Sequence, residues 1–350
     1  MVTIELVVLV MTLLVIFGHA LWVRWDITRQ GPILTRARAI LAQVLNPVAP
    51  DQGDEIELTW ADLEAVRALP DRVQAQVFVE LARNLSGRQK EGVTHIAGQV
   101  GFIAGTELSL QSRLWWRRLR ATRLLTLLGA GKGSMPRLLR DPHPRVRAQA
   151  ADWAATYPSP EIIAALLNML EDPAKLCRFT AQNSLLRIGA AVGPLLADYV
   201  THHAGPRLVA ALEVAVGLAQ PGFLAPALKL CRDGSPSVRT LAATLLGQIG
   251  GMEAASMLQE LLRDPEGSVR AEAARGLGKL GEWPAAPALA GTLRDPSWDV
   301  RREAGLALRA MGSPGILLLR RSLSDRDAFA ADMARQVLDI PPSALARPVL

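Results

Sequence analysis

A 31-residue interval constrains this chain more than any other feature. "RDPEGSVRAEAARGLGKLG" (263–281) returns 31 residues on as "RDPSWDVRREAGLALRAMG" (294–312) and 31 residues back as "RDGSPSVRTLAATLLGQIG" (232–250). Earlier copies are "LEDPAKLCRFTAQNSLLRIG" (170–189) and "LRDPHPRVRAQAADWAATYP" (139–158). The aspartates Asp141, Asp172, Asp233, Asp264 and Asp295 are thus spaced 31, 61, 31 and 31. The 61 is a double step, so a worn copy belongs near residue 202, where "THHAGPRLVAALEVAVGLA" keeps the helical pattern but loses the Asp and the Arg. Another worn copy, "QSRLWWRRLRATRLLTLLG" (111–129), precedes Asp141, and a last one starts at Asp325. Self-similarity at a fixed period marks stacked units, of which there are about eight.

The positions within a unit have physical meanings. The Asp-Pro pair predicts a helix start, because an Asx oxygen accepts orphan N–H groups of the first turn and proline suits position N1. The helix that follows carries Val269, Ala273, Leu277 and Leu280 in one copy and Val238, Ala242, Leu246 and Ile249 in another, one face of a 3.6-residue period. Gly189, Gly250, Gly281 and Gly312 are placed to close it. The ninth place after the Asp is alanine in Ala121, Ala150, Ala181, Ala242, Ala273 and Ala304, small enough for neighbouring helices to approach. A second short helix, such as "AASMLQELLR", precedes each Asp. One hairpin cannot bury its apolar face alone, so the hairpins must stack into an all-α solenoid.

These residues resemble HEAT repeats, of the short bacterial subtype also met in phycobilisome lyase subunits. The resemblance covers residues 110–340, because Asp, Val-Arg, Ala, Leu and Gly recur in register. It implies a right-handed α-α superhelix of about eight hairpins. It also implies a structural ladder between successive repeats, made by Asp141, Arg147, Asp172, Arg178, Asp233, Arg239, Asp264, Arg270, Asp295 and Arg301, with Arg118 at the matching place of the first worn copy.

Half of the residues are hydrophobic and only 5% aromatic, the profile of Ala/Leu-rich helices with small cores between repeats. Cys177 falls on a core place and Cys231 is the only other cysteine, which points to buried free thiols rather than a disulfide. The N-terminus differs in kind. Between Glu5 and Arg24 lie 18 residues without a formal charge, enough to cross roughly 30 Å of hydrocarbon. Segment 4–25 therefore reads as a transmembrane helix contacting the lipid bilayer. Arg24, Arg29, Arg36 and Arg38 beyond it predict the solenoid in the cytoplasm, the N-terminus out and a single pass through the inner membrane. The expected organisation is an anchor at 1–27, an amphipathic or linker segment at 28–57, an irregular helical cap at 58–110, the solenoid at 111–340 and a tail at 341–350.

Chemistry is sparse. His202 and His203 have no third ligand nearby in sequence, so no metal site or cofactor is expected. "GAGKGS" (129–134) lacks the spacing of a phosphate loop and reads as a turn. We therefore expect no catalytic residue. What a solenoid offers is a surface. Counting eight, eleven and fifteen places after each Asp gives a polar stripe of Arg120, Arg123, Gln149, Asp152, Thr180, Asn183, Arg187, Thr244, Gln248, Glu272, Arg275, Lys279 and Glu303, to which Trp298 adds a loop contact. Trp115 and Trp116 stand beside five arginines, the composition of interface hot spots. The expected function is a membrane-tethered scaffold or adaptor that binds another, membrane-associated protein, with similar anchored proteins suggesting a membrane or envelope-synthesis complex. Net charge +6 keeps nucleic acid in view, but Asp152, Glu272 and Glu303 in the stripe argue against it. The alternative is an enzyme or enzyme subunit of the HEAT-like lyase or DNA-glycosylase type, for which Asp152 beside Trp153 is the one candidate pair.

Overall fold

The computed structural model describes residues 60–341, together with the isolated positions 17, 35 and 39. The described chain is an all-α repeat solenoid, with α-helices and short 3-10 turns and, among the described residues, no strand. It divides into two compact units, one ending at Trp153 and one beginning at Ala154.

In the first unit, α1 (Trp60–Arg67), α2 (Asp71–Asn84), α3 (Gly87–Gln99) and α4 (Phe102–Ser109) occupy the stretch without the repeat signature. Buried Gln74 ties α1 to α2, its Nε2 donating to the carbonyls of Arg67 (3.2 Å) and Leu69 (2.9 Å). Then come α5 (Trp115–Leu128) and α6 (Pro144–Ala154), with "GAGKGS" a turn between α5 and a 3-10 segment.

The second unit runs from α7 (Pro160–Asn168) through α8 (Lys175–Ile188), α9 (Gly193–His202), α10 (Pro206–Leu218), α11 (Leu224–Leu230) and α12 (Pro236–Ile249). It continues with α13 (Met252–Leu261), α14 (Gly267–Leu280), α15 (Ala286–Thr292), α16 (Trp298–Ala310), α17 (Ser313–Ser322) and α18 (Ala328–Asp339). The apolar places counted from the aspartates are core: Val238, Ala242, Leu246, Val269, Ala273 and Leu277 are all buried. Gly250 and Gly281 leave their helices at φ 77° and 64°, a conformation an L side chain resists. Neighbouring helices do approach closely, three and five residues beyond the ninth-place alanines. A methyl built on Gly247 would lie 2.7 Å from Gly276 Cα, and one on Gly278 2.7 Å from Ala307 Cα.

Two expectations need correction. The Asp-Pro pair does not cap its helix directly. Each aspartate Oδ1 accepts the N–H of the residue two places on, as Ser235 N to Asp233 (2.8 Å) and Glu266 N to Asp264 (2.9 Å), and the helix begins one residue later. The proline therefore sits in the loop, and the aspartate forms an Asx turn that leaves its carboxylate facing a neighbour. The inner-membrane, single-pass location is the second. Among the described residues no helix is long and apolar enough to cross a membrane. The longest have 14 residues, about 21 Å at 1.5 Å per residue, short of roughly 30 Å of hydrocarbon. Apart from the isolated positions 17, 35 and 39, segment 4–25, which carried that expectation, lies outside the described residues, as do segment 28–57 and the tail after Pro341.

Candidate functional site

The aspartates and arginines meet in a repeated geometry. Arg239 is held on its own loop by Nη1, which donates to the carbonyls of Asp233 (2.9 Å) and Gly234 (3.3 Å). Its Nε and Nη2 then grip both carboxylate oxygens of Asp264 in the next repeat, each at 2.8 Å. Arg270 does the same to Asp295 (2.7 and 2.9 Å), and in the first unit Arg118 to Asp141 (2.7 and 2.8 Å). Fork-to-carboxylate pairs of this kind are strong and directional. The carboxylates of Asp264 and Asp295 are pushed up by burial, but the bonds from Arg239 and Arg270 and from the turn N–H groups outweigh this and hold both below the ordinary carboxylate value. The bond to Asp264 likewise raises Arg239.

Not every rung closes. Arg178 is anchored as the others are, Nη1 donating to Asp172 O (2.7 Å) and Pro173 O (3.3 Å). The place of its carboxylate, three residues before α10, is His203, whose ring stacks on Tyr199 at 3.7 Å with Nδ1 2.8 Å from the Tyr199 carbonyl oxygen. The arginine place of the same repeat is Val209, so no arginine bonds to the Asp233 carboxylate among the described residues. At the other end of the second unit, Asp325 is taken by Arg294 (2.6 and 3.3 Å). Arg301 lies over the Phe329 ring at 4.6 Å, its buried Nε without a hydrogen-bond partner. Arg147 sits on its own loop like the rest, donating to Asp141 O (2.8 Å).

The stripe divides by environment. Glu272 and Glu303 are buried, and Arg275 bridges them at 2.6 and 3.1 Å, with Arg302 also on Glu303 (2.8 Å). Asn183, Arg187, Gln248 and Lys279 are exposed, as are Arg120 and Arg123 in the first unit. Gln149 and Asp152 are half-buried and in contact, Nε2 to Oδ2 at 3.4 Å. Trp153 is core, its indole N–H donating to Ala130 O (2.9 Å), so Asp152 and Trp153 do not form an acid-aromatic pair facing solvent. Trp298 is half exposed beneath Arg302. Cys177 and Cys231 are buried and are not joined in a disulfide, and burial pushes the Cys231 thiol up to about 12. Among the described residues no group of His, Cys, Asp or Glu could hold a metal ion.

The two tryptophans part company. Trp115 is stacked under His143 at 3.9 Å, whereas Trp116 is 49% exposed, with Arg117 5.2 Å from its ring centre. Trp116 borders a cavity of about 570 Å³ within the first unit, shared with Arg67, Asp71, Phe102, Arg117 and Arg120. Arg67 and Arg120 reach it with side chains that have no acceptor among the described residues. Three guanidinium groups against one carboxylate make it cationic, and the two rings make part of its wall apolar.

A model described as HEAT repeats matches residues 133–217, 207–271 and 256–339. Together these span 133 to 339, which is 207 of the 350 residues. This chain belongs to the HEAT-repeat family. No curated protein matches it. Among solved structures, a Kap121p mutant is 12% identical at a TM-score of 0.50, with 89% of this chain and 46% of that one covered. An engineered protein is 18% identical at a TM-score of 0.38, covering 79% of this chain and 87% of that one. Human deoxyhypusine hydroxylase in complex with glycerol is 21% identical at a TM-score of 0.29, covering 89% and 98%. The likeness to Kap121p is one of fold, and this HEAT-repeat chain spans less than half of that protein's length.

The cavity's Arg67 and Asp71 escaped the sequence reading of this HEAT-repeat chain, because they stand on α1 and α2, where no period sets a register. Arg309 escaped it too: its guanidinium donates to the carbonyls of Val337, Leu338 and Ile340, closing the C-terminal end of α18.

Proposed function

We propose that this HEAT-repeat chain is a scaffold that binds another protein, with the Trp116 cavity of the first unit as an anchoring site. The observation that carries this reading is an aromatic ring half open to solvent, set among three guanidinium groups, two of which have no acceptor among the described residues. Partially exposed Trp with Arg is the side-chain pair that dominates binding energy at protein interfaces. The cavity's positive charge selects a partner segment carrying carboxylates, and its Phe102 wall favours an apolar side chain beside them. The exposed stripe residues Asn183, Arg187, Gln248 and Lys279, with Trp298, supply further contacts on the second unit; Glu272 and Glu303, already paired, do not.

The test places a photo-crosslinking benzophenone amino acid at position 116 of the full chain in its native cells. The reading expects one dominant protein adduct, lost when Arg117→Glu and Arg120→Glu are combined and kept when Arg263→Glu, at an exposed arginine outside the stripe, replaces them. An adduct unaffected by reversal of the cavity arginines, or none, contradicts it.

A further inference from the structure

The ladder is interrupted inside the second unit, and the interruption leaves two opposite charges without their usual partners. In a closed rung Nη1 of the arginine is fixed by its own loop, which aims Nε and Nη2 at a carboxylate 2.7 to 2.9 Å away. Arg178 carries the same fixation at Asp172 O and Pro173 O, so its fork is held ready, yet it meets no carboxylate among the described residues. One repeat further on, Asp233 keeps its Asx turn through the Ser235 N–H, and its carboxylate has no arginine among the described residues, since Val209 stands in that place. A cavity of about 430 Å³ lies at this gap, with Pro206, Val209, Ser235 and Ser237 in its wall. On the same helix as Arg178, Leu176 and Phe179 are 50% and 70% exposed, and their i, i+3 spacing puts them together on a neighbouring side of α8. No other repeat pairs an unoccupied arginine fork with exposed large apolar side chains one residue away and two residues before it, among the described residues.

We infer that the missing rung is a docking site for a partner protein, whose acidic side chain enters the Arg178 fork where an aspartate of the next repeat would otherwise lie. Charge complementarity selects the occupant. The fork fits a planar carboxylate in the two-bond geometry seen at Asp264 and Asp295. Asp233 one repeat along favours a basic residue on the same segment. Leu176 and Phe179, exposed on another side of the same helix, favour a partner that also carries an apolar residue, which a free small carboxylate lacks and a peptide supplies. This inference is independent of the Trp116 cavity, which lies in the first unit.

The chain itself provides the control. In the double variant His203→Asp, Val209→Arg both rungs are completed internally, so the fork and Asp233 are occupied while the fold is retained. Its thermal midpoint should rise, showing that both rungs have formed. A displayed library of random 12-residue peptides, first depleted on that variant and then selected on the unaltered full chain, should yield binders carrying Asp or Glu. Their affinity should fall at least tenfold for Arg178→Met and for the double variant, and stay within twofold for Arg335→Ala, at an exposed arginine of the last helix. Binders without a carboxylate, binders indifferent to Arg178→Met, or no binders surviving depletion would overturn the inference. A double variant that is folded but no more stable would overturn it as well, because the vacant places would then not be those of a rung.

Discussion

Two stretches of the second unit present the same hairpin with and without its ladder. From Asp233 to Ala310 the forks of Arg239 and Arg270 hold the carboxylates of the repeats that follow, and backbone meets backbone at Gly247, Gly276, Gly278 and Ala307. From Gly193 to Ala219 the helices form with the same buried apolar face, Leu208, Ala211, Leu212 and Ala215, but Asp, Arg and the terminal glycine are all replaced. Ala219 there takes the left-handed conformation, φ 47°, that glycine takes elsewhere. Apolar periodicity is therefore enough to make and stack a hairpin. The rungs are a separate layer of structure that joins one loop to the next.

The largest difference is expected from breaking a closed rung. Both partners are largely buried, with side-chain exposures of 12% and 6% for Arg239 and Asp264, so Asp264→Ala strands a guanidinium and should cost about 3–5 kcal/mol in urea unfolding. Arg178→Met, which loses only bonds to loop carbonyls, should cost about 1 kcal/mol. Equal costs would erase the distinction between the two regions.

Gly278→Val comes next, since even the Cβ lies within 2.7 Å of the Ala307 backbone. Overpacking of this kind costs typically 1–3 kcal/mol, whereas Gly222→Val, where a Cβ meets nothing within 4 Å, should change the urea midpoint little.

Acid separates the regions by slope. Asp264 and Asp295 titrate below their ordinary value, so the stability they supply is complete above the unfolded carboxylate value of about 3.9 and is lost as pH falls through their lower folded values. Between pH 5 and pH 2, Asp264→Asn should therefore show a shallower fall in unfolding free energy than the unaltered chain, and Arg178→Met, which removes no bond to a carboxylate, should leave the slope unchanged.

The smallest effect has the opposite sign. Ala219→Gly relieves a left-handed alanine, a strain of roughly 1–2 kcal/mol, partly offset by the greater freedom of glycine in the unfolded chain. A gain of about 0.5–1 kcal/mol is expected from thermal unfolding.

What could be read from the chain alone was whatever depends on near neighbours in sequence. Helix faces, the closing glycines and the buried places of Val238, Ala273 and Leu277 follow from a local period, and so does the gap near residue 202. Features decided by competition between distant groups were not legible in the same way. The helix start moved by two residues because Asp264 serves a turn and a neighbour's fork together. Glu272 and Glu303 count as facing away from their own core, yet they are buried and joined through Arg275. Asp325 could pair with either of two arginines seven residues apart, and only coordinates show that Arg294 has it. The cationic cavity draws on Arg67, Phe102, Trp116 and Arg120, from helices with no shared register.

The central claim is that rungs, more than repeat pattern, set local stability within the second unit. Hydrogen exchange of backbone amides in the full chain under native conditions tests it most directly, because local opening free energies are resolved helix by helix. The account predicts that α10 (Pro206–Leu218) exchanges before α12 (Pro236–Ile249) and α14 (Gly267–Leu280), and that His203→Asp with Val209→Arg brings α10 towards their protection. Equal protection of the three helices in the unaltered chain, or later exchange of α10, would contradict it.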